Sequence, residues 1–171
     1  MKPKLGSLCA VAGIGMAVFG LVHAAGEEVP PAPNGIELPN DYKDWRMIGT
    51  AHRTDNHSLR VILGNGTAVT AARTGKTDPW PEGTMLGKLV WKDRTHPQWP
   101  DATVPGKLNH VEFMIRDSRK FPATGGWGFA RWVGMEQKPY GDDASFAQEC
   151  FGCHQAAKAT DHVFTVPAEL P

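Results

Sequence analysis

Cys150-Phe151-Gly152-Cys153-His154 sets two thiols three residues apart, with an imidazole directly after the second. That is the attachment pattern for haem c: the thiols add to the two vinyl groups of the porphyrin, and the adjacent histidine reaches the iron from one side. Three other uses of the pair carry less weight. A zinc site wants four ligands, and with no second cysteine pair His162 and His110 would have to be recruited. A thioredoxin-like redox pair follows a strand early in a βαβ unit, whereas this pair stands near the C-terminus. A disulfide across so small a loop stabilises little beyond its own geometry. The motif therefore assigns Cys150 and Cys153 to the porphyrin and His154 to the iron of one covalent haem c.

What lies on the other side of the iron separates electron carriers, which supply a methionine or second histidine, from haems that bind or convert a ligand. Met47, Met85, Met114 and Met135 stand among apolar strand residues and read as core. His52, His57, His96, His110 and His162 are scattered through loops and element ends, so no sixth ligand is marked. A small electron-carrying cytochrome also puts its motif near the start of an all-helical chain. Here a long sheet-forming stretch comes first.

The elements that must carry these residues follow from periodicity and turn chemistry. Asn40 or Asp41 opens a short turn running to Trp45. Strands are predicted over Arg46 to Ala51, Ser58 to Leu63, Thr84 to Trp91, Val111 to Ile115 and Trp127 to Val133, with a short helix over Thr67 to Arg73 ended by Gly75. Lys92 to Asn109 contains three prolines and reads as a long functional loop. Asp142-Asp143-Ala144-Ser145 opens a helix over Phe146 to Cys150, and helical composition continues to Lys158. The fold class is α+β: a mainly antiparallel β-sheet with a few helices, the haem-attachment helix near the C-terminus.

The chain has 171 residues, with 18 Lys and Arg balancing 18 Asp and Glu, so it offers no broad positive field to a nucleic acid. A hydrophobic fraction of 41% with 21% charged residues suits one globular domain. Lys2 and Lys4, an uncharged apolar run from Leu5 to Val22 and the small residues about Ala24 make residues 1–24 a secretory signal peptide, and the expected location is the periplasm. A retained anchor is the alternative, for which the glycine-containing run is marginal in length. Cys9 would leave with the signal. Residues 25–35 (AGEEVPPAPNG) read as a flexible leader, and 36–171 as the haem c domain. Export agrees with haem c, whose thioether chemistry is completed outside the cytoplasm.

Several segments, taken in order, resemble the cytochrome P-460 family over nearly all of the chain after residue 36. They are Leu38-Pro39-x-x-Tyr42-x-x-Trp45-x-Met47-x-Gly49-Thr50, Glu82-Gly83-Thr84 leading to Lys88, Asp117-Ser118-x-x-Phe121 followed by Gly126-Trp127, and Cys150 to His154 with Thr160-Asp161-x-Val163-Phe164-Thr165. The resemblance implies a mainly antiparallel sheet, usually a homodimer, and a five-coordinate haem c with an open distal side. It gives Lys88 the place of a lysine whose nitrogen is bonded to a haem meso carbon in hydroxylamine-oxidising members. Glu112 takes the place of a distal carboxylate that accepts protons, and Arg60 that of a distal arginine that stabilises negative charge on a ligand.

Strand alternation puts Leu86, Lys88 and Val90 on one face, with Met85, Gly87, Leu89 and Trp91 on the other. Glu112 shares a face with His110 and Met114. A pocket above a haem would desolvate that carboxylate and raise its proton affinity, as suits a general base. Read from the residues alone, Lys88 equally suits a side chain snorkelling at a sheet edge, Glu112 a solvent-facing strand position and Arg60 an exposed one. Leu89 departs from the acidic residue that follows the lysine in the enzyme prototype, the Arg60 to Lys88 interval is slightly longer and the C-terminal tail is short. The resemblance thus implies hydroxylamine oxidation with an external electron acceptor. The alternatives are a nitric oxide or gas-binding cytochrome of the c'-beta type, its apolar distal wall drawn from Leu86, Val90 or Phe113, and a plain electron-transfer cytochrome.

Overall fold

Among the described residues six strands follow one another and pair in that same order, each antiparallel to the next. The computed structural model describes residues 28–171, so the expected signal peptide lies outside the described residues. The strands are β1 (Arg46–Arg53), β2 (Ser58–Gly64), β3 (Met85–His96), β4 (Trp99–Arg116), β5 (Trp127–Val133) and β6 (Lys138–Pro139). Helix α1 (Gly66–Thr74) follows β2, and α2 (Phe146–His154) runs into a 3-10 segment over Gln155–Thr160. The protein is α+β, with an antiparallel meander and a helix near the C-terminus. A meander needs only short connections between neighbours, as the turn residues between the strands require.

Local chemistry sets the helix ends. Asn65 caps α1, its side-chain oxygen accepting from the Ala68 N–H at 3.0 Å, and Gly75 closes it at φ +68°. Asp41 precedes the Tyr42–Asp44 turn without a side-chain cap. The helical run expected to reach Lys158 breaks after His154, tightening to 3-10 geometry, with Ala157 at φ −100° and ψ 24°.

Cores form on both faces of the sheet. One gathers Ile48, Ile62, Leu86, Trp127 and Phe129 with Ala68 and Val69 of α1 and Trp80. The other gathers Val111, Phe113, Ala130 and Trp132 with Ile36, Tyr42 and Phe146. Phe113 is the hub of the second: Tyr42, Trp45 and Trp132 meet it edge-on at centroid distances of 5.4, 6.0 and 5.8 Å. Helix α2 bridges the two, since Phe146 belongs to the second core while Ala147 and Phe151 pack on the first and Cys150 touches both.

Two expectations are corrected. The proline-rich leader is seated against the sheet over its described part: Ala32 is buried, the Trp132 indole donates to the Pro30 carbonyl at 2.9 Å, and Asn34 donates to the Phe129 carbonyl at 2.8 Å. These long-range bonds outweigh the flexibility that composition implies.

Lys92 to Asn109 is not a loop but the distal half of the β3–β4 hairpin, with Asp93 opposite Pro105, Arg94 opposite Val104 and Thr95 opposite Thr103. Pairing with β2 ends at Lys92 and with β5 at His110, and past the turn bonds of Asp93 to His57 and of Gly134 to Asn109 the outer edges of the arm meet no further strand among the described residues. A proline that lacks an N–H is tolerated there. Gly106 lets the strands close up, because a Cβ in its place would lie 2.8 Å from the Lys92 carbonyl oxygen.

The two regions should respond differently to truncation. Phe113→Ala should cost about 3–5 kcal/mol, whereas Trp99→Ala at the exposed tip of the arm should stay within about 0.5 kcal/mol. Urea unfolding of the two variants against the parent protein measures both.

Candidate functional site

Antiparallel register turns three rows of side chains to one face of the sheet. Leu86, Met114 and Phe129 stand opposite one another on β3, β4 and β5. Two residues further along each strand, Ile62, Lys88, Glu112 and Arg131 form the next row, and Arg60, Val90, His110 and Val133 form the third. An apolar row therefore borders a charged one. Alternation sends Gly87, Leu89, Val111 and Phe113 to the opposite face. Phe113, expected as part of a distal wall, is thus placed away from the site, whereas Leu86 and Val90 are buried beside Lys88.

Glu112 is the centre of the charged row. Lys88 Nζ and Arg131 Nη2 both pair with its carboxylate, Arg131 Nε donates to Oε1 at 2.6 Å, and His110 Nε2 lies 3.2 Å from Oε1. Burial opposes the charge, but the hydrogen bond from His110 and the charges of Lys88 and Arg131 win, holding this carboxyl far below the usual range. That reverses the direction expected from burial alone. Arg60 shares the face, but its Nε donates to Ser58 Oγ at 3.1 Å along its own strand, and burial draws its guanidinium below the usual arginine range. It reaches Glu112 through space rather than by contact.

Arg131 escaped the sequence reading. Its signal was a single charge in the otherwise apolar strand WGFARWV, at the same alternation as Phe129. Its guanidinium is stacked 4.5 Å from the Tyr140 ring centroid, which fixes its orientation toward Glu112. Beside Tyr140, a groove of about 530 Å³ opens along the start of α2, lined also by Val133, Phe146 and Glu149.

Helix α2 brings the motif to this face. Cys150, Cys153 and His154 are spaced i, i+3, i+4 and so project from one side of the helix. The His154 ring meets Phe129 of the apolar row at 5.1 Å, with Phe164 on another side at 5.2 Å. Burial raises the Cys150 thiol and lowers the imidazolium of His154, and both groups feel the charges of Lys88 and Glu112. Through Phe129, the motif thus lies against the apolar row that borders the charged one.

His154 Nδ1 lies 2.7 Å from the backbone carbonyl of His162. A carbonyl oxygen only accepts, so Nδ1 carries the proton and Nε2 keeps its lone pair. A neutral imidazole with a free Nε2, beside two unpaired thiols on the same helix face, is the donor set that a haem iron and two vinyl groups require.

A family model described as Cytochrome P460 matches residues 39–165, from the first 3-10 turn through the segment after α2. The chain belongs to the cytochrome P460 family. Membership makes it a haem protein, and the geometry at His154 fits that cofactor. No curated protein matches the sequence. In this cytochrome P460 the separated sequence segments lie on neighbouring elements: β3, β4 and β5 carry Lys88, Glu112 and Arg131, and α2 carries Cys150, Cys153 and His154.

The charged row has a pH signature. Because Glu112 holds its proton less tightly folded than its ordinary value of 4.5, its stabilising contribution is complete above that value and is lost as pH falls below it. Glu112→Gln should flatten that acid limb and, by leaving Lys88 and Arg131 without their counter-charge, lower stability at neutral pH by about 1–3 kcal/mol. Urea midpoints of parent and variant from pH 7 to 3 measure both effects.

Proposed function

We propose that the protein is an exported cytochrome carrying one covalent haem c with an open distal side, and that it oxidises hydroxylamine or a related small nitrogen species. The observation that carries this reading is the convergence of Lys88, Glu112 and Arg131 on the sheet face where His154, at the end of α2, packs against Phe129. Cys150 and Cys153 would hold the porphyrin and His154 Nε2 the iron. The haem, when bound, supplies a redox-active iron with a free coordination position.

The chain's own residues supply the proton chemistry. Glu112 is ionised at neutral pH, as a proton acceptor must be, and Arg131 and His110 hold its carboxylate in place. Tyr140 in turn holds Arg131. Buried Leu86 and Val90 flank Lys88 and limit water on that side of the row. Arg60 adds positive charge at the margin, suited to a ligand that becomes anionic as protons leave. Electrons leave to an external acceptor. The signal peptide supports a periplasmic location, and the family resemblance supports a homodimer.

A second reading rests on the Lys88–Glu112 ion pair. A lysine that stays paired keeps its nitrogen from the porphyrin, and the same pocket would then bind nitric oxide without turnover. Electron transfer alone draws less support. Met135 is exposed, Met114 packs on the apolar core, and His110 is engaged with Glu112.

Co-expression with a periplasmic haem c maturation system decides among these. A strongly red-shifted Soret band in the ferrous protein, lost in Lys88→Ala, is the expected result for the oxidase. An ordinary high-spin haem c spectrum would move the assignment to gas binding, and a six-coordinate low-spin state to electron transfer. In the oxidase, Glu112→Ala should lower hydroxylamine turnover by about 10²–10⁴-fold while nitric oxide binding is retained. Unchanged turnover would remove Glu112 from the role of base.

A further inference from the structure

The carbonyl that orients His154 belongs to a strained stretch of chain. Asp161 and His162 both adopt left-handed backbone, at φ +50° and +65°, although neither is glycine. Each such residue costs on the order of 1 kcal/mol, and two in succession persist only where the surroundings enforce them. The turn aims the His162 carbonyl at His154 Nδ1 (2.7 Å), while His162 Nδ1 donates to the His154 carbonyl at 3.3 Å, so the two residues exchange ring-to-backbone bonds.

Beside the buried Val163 and the packing of His162 on Phe151, Asp161 ties this turn to the rest of the fold by polar bonds. Its carboxylate accepts from the backbone N–H of buried Trp80 at 2.9 Å and pairs with Arg116 Nη1 at 3.4 Å. Arg116, at the end of β4, is itself fixed: the same Nη1 donates to the Gly125 carbonyl at 2.7 Å, and the guanidinium lies 5.5 Å from the Trp127 ring centroid. On the inner side of the turn, the Ala157 carbonyl accepts from the His162 N–H at 2.8 Å. The proton chemistry assigned to the charged row uses none of these groups.

We infer that Asp161, anchored by Arg116 and the Trp80 N–H, is a positioning residue that holds the His162 carbonyl against His154 and thereby sets the donor strength of the iron-ligating imidazole. This rests on the assignment of His154 as the haem ligand. An Nδ1–H that donates to a well-placed carbonyl makes the imidazole more basic at Nε2, which strengthens the bond to iron and favours the ferric state. Loosening the turn weakens that bond and raises the reduction potential.

Full-length protein matured with haem c and substituted Asp161→Gly tests this. Glycine keeps the left-handed backbone accessible while removing the carboxylate. The iron–histidine stretching frequency of the ferrous protein, read by resonance Raman, should shift downward, with a raised potential. Asp161→Asn removes the same charge but keeps an acceptor oxygen and tolerates left-handed geometry, so its stretch should remain at the parental frequency. Any rise in potential shared by both variants then reports charge, and only the glycine variant's excess reports positioning. A parental frequency in Asp161→Gly, or an asparagine variant shifted as far as the glycine one, overturns the inference. Should the glycine variant take up no haem, Arg116→Gln replaces it. A smaller downward shift supports the anchor and a parental frequency overturns it. Parent protein without covalent haem would overturn the haem c assignment instead, which keeps the two failures distinct.

Discussion

A carboxylate held between two cations on neighbouring strands governs the rest of this structure. Lys88, Glu112 and Arg131 meet only because β3, β4 and β5 pair in one register, and a slip of one residue in any of these strands would send its own charge through the sheet to the aromatic core. That core enforces the register in turn. Phe113, one residue from Glu112, is gripped by Tyr42, Trp45 and Trp132 on the opposite face. Packing on one face thus sets the charge geometry on the other.

The helix that bears the haem motif is subject to a different kind of control. α2 is short and ends at His154, too short to be stable on propensity alone, and its placement comes from Phe146 and Phe151 reaching into separate cores. Its last residue is then oriented by a turn eight positions further on, bonded to a loop and a strand end remote in sequence. Rigid sheet on one side and anchored turn on the other leave the imidazole little freedom.

Much of this was legible in the residues. The pattern from Cys150 to His154 stands out because its spacing, with the adjacent histidine, suits haem attachment better than a zinc site or a redox pair, and the alternation of TMLGKLVW was enough to put Lys88 on a face with Leu86 and Val90. Other features depend on partners that no local pattern names. Arg131 becomes a site residue only through its register with Glu112, and the direction of the Glu112 shift followed from three neighbours that burial arguments leave out. The hairpin arm was misread because prolines argue against strands in general, while free edges admit them. The leader was misread because composition reports what a segment prefers alone, and here Trp132 and Phe129 supply its hydrogen-bond partners.

The two readings of the site differ at one atom, the nitrogen of Lys88. Paired with Glu112, it neutralises the carboxylate and helps make it a poor proton acceptor. A lysine nitrogen engaged elsewhere would leave Glu112 with Arg131 and His110 alone, and removing one cation from a partly buried carboxylate raises its proton affinity. Lys88 and Glu112 are therefore coupled: whatever draws the lysine away also makes the carboxylate a better base. Arg131, stacked on Tyr140 and bonded through Nε, remains in either case and keeps the carboxylate in position. The proton affinity of the row thus depends on where the lysine nitrogen goes, without any change in the sheet that carries it.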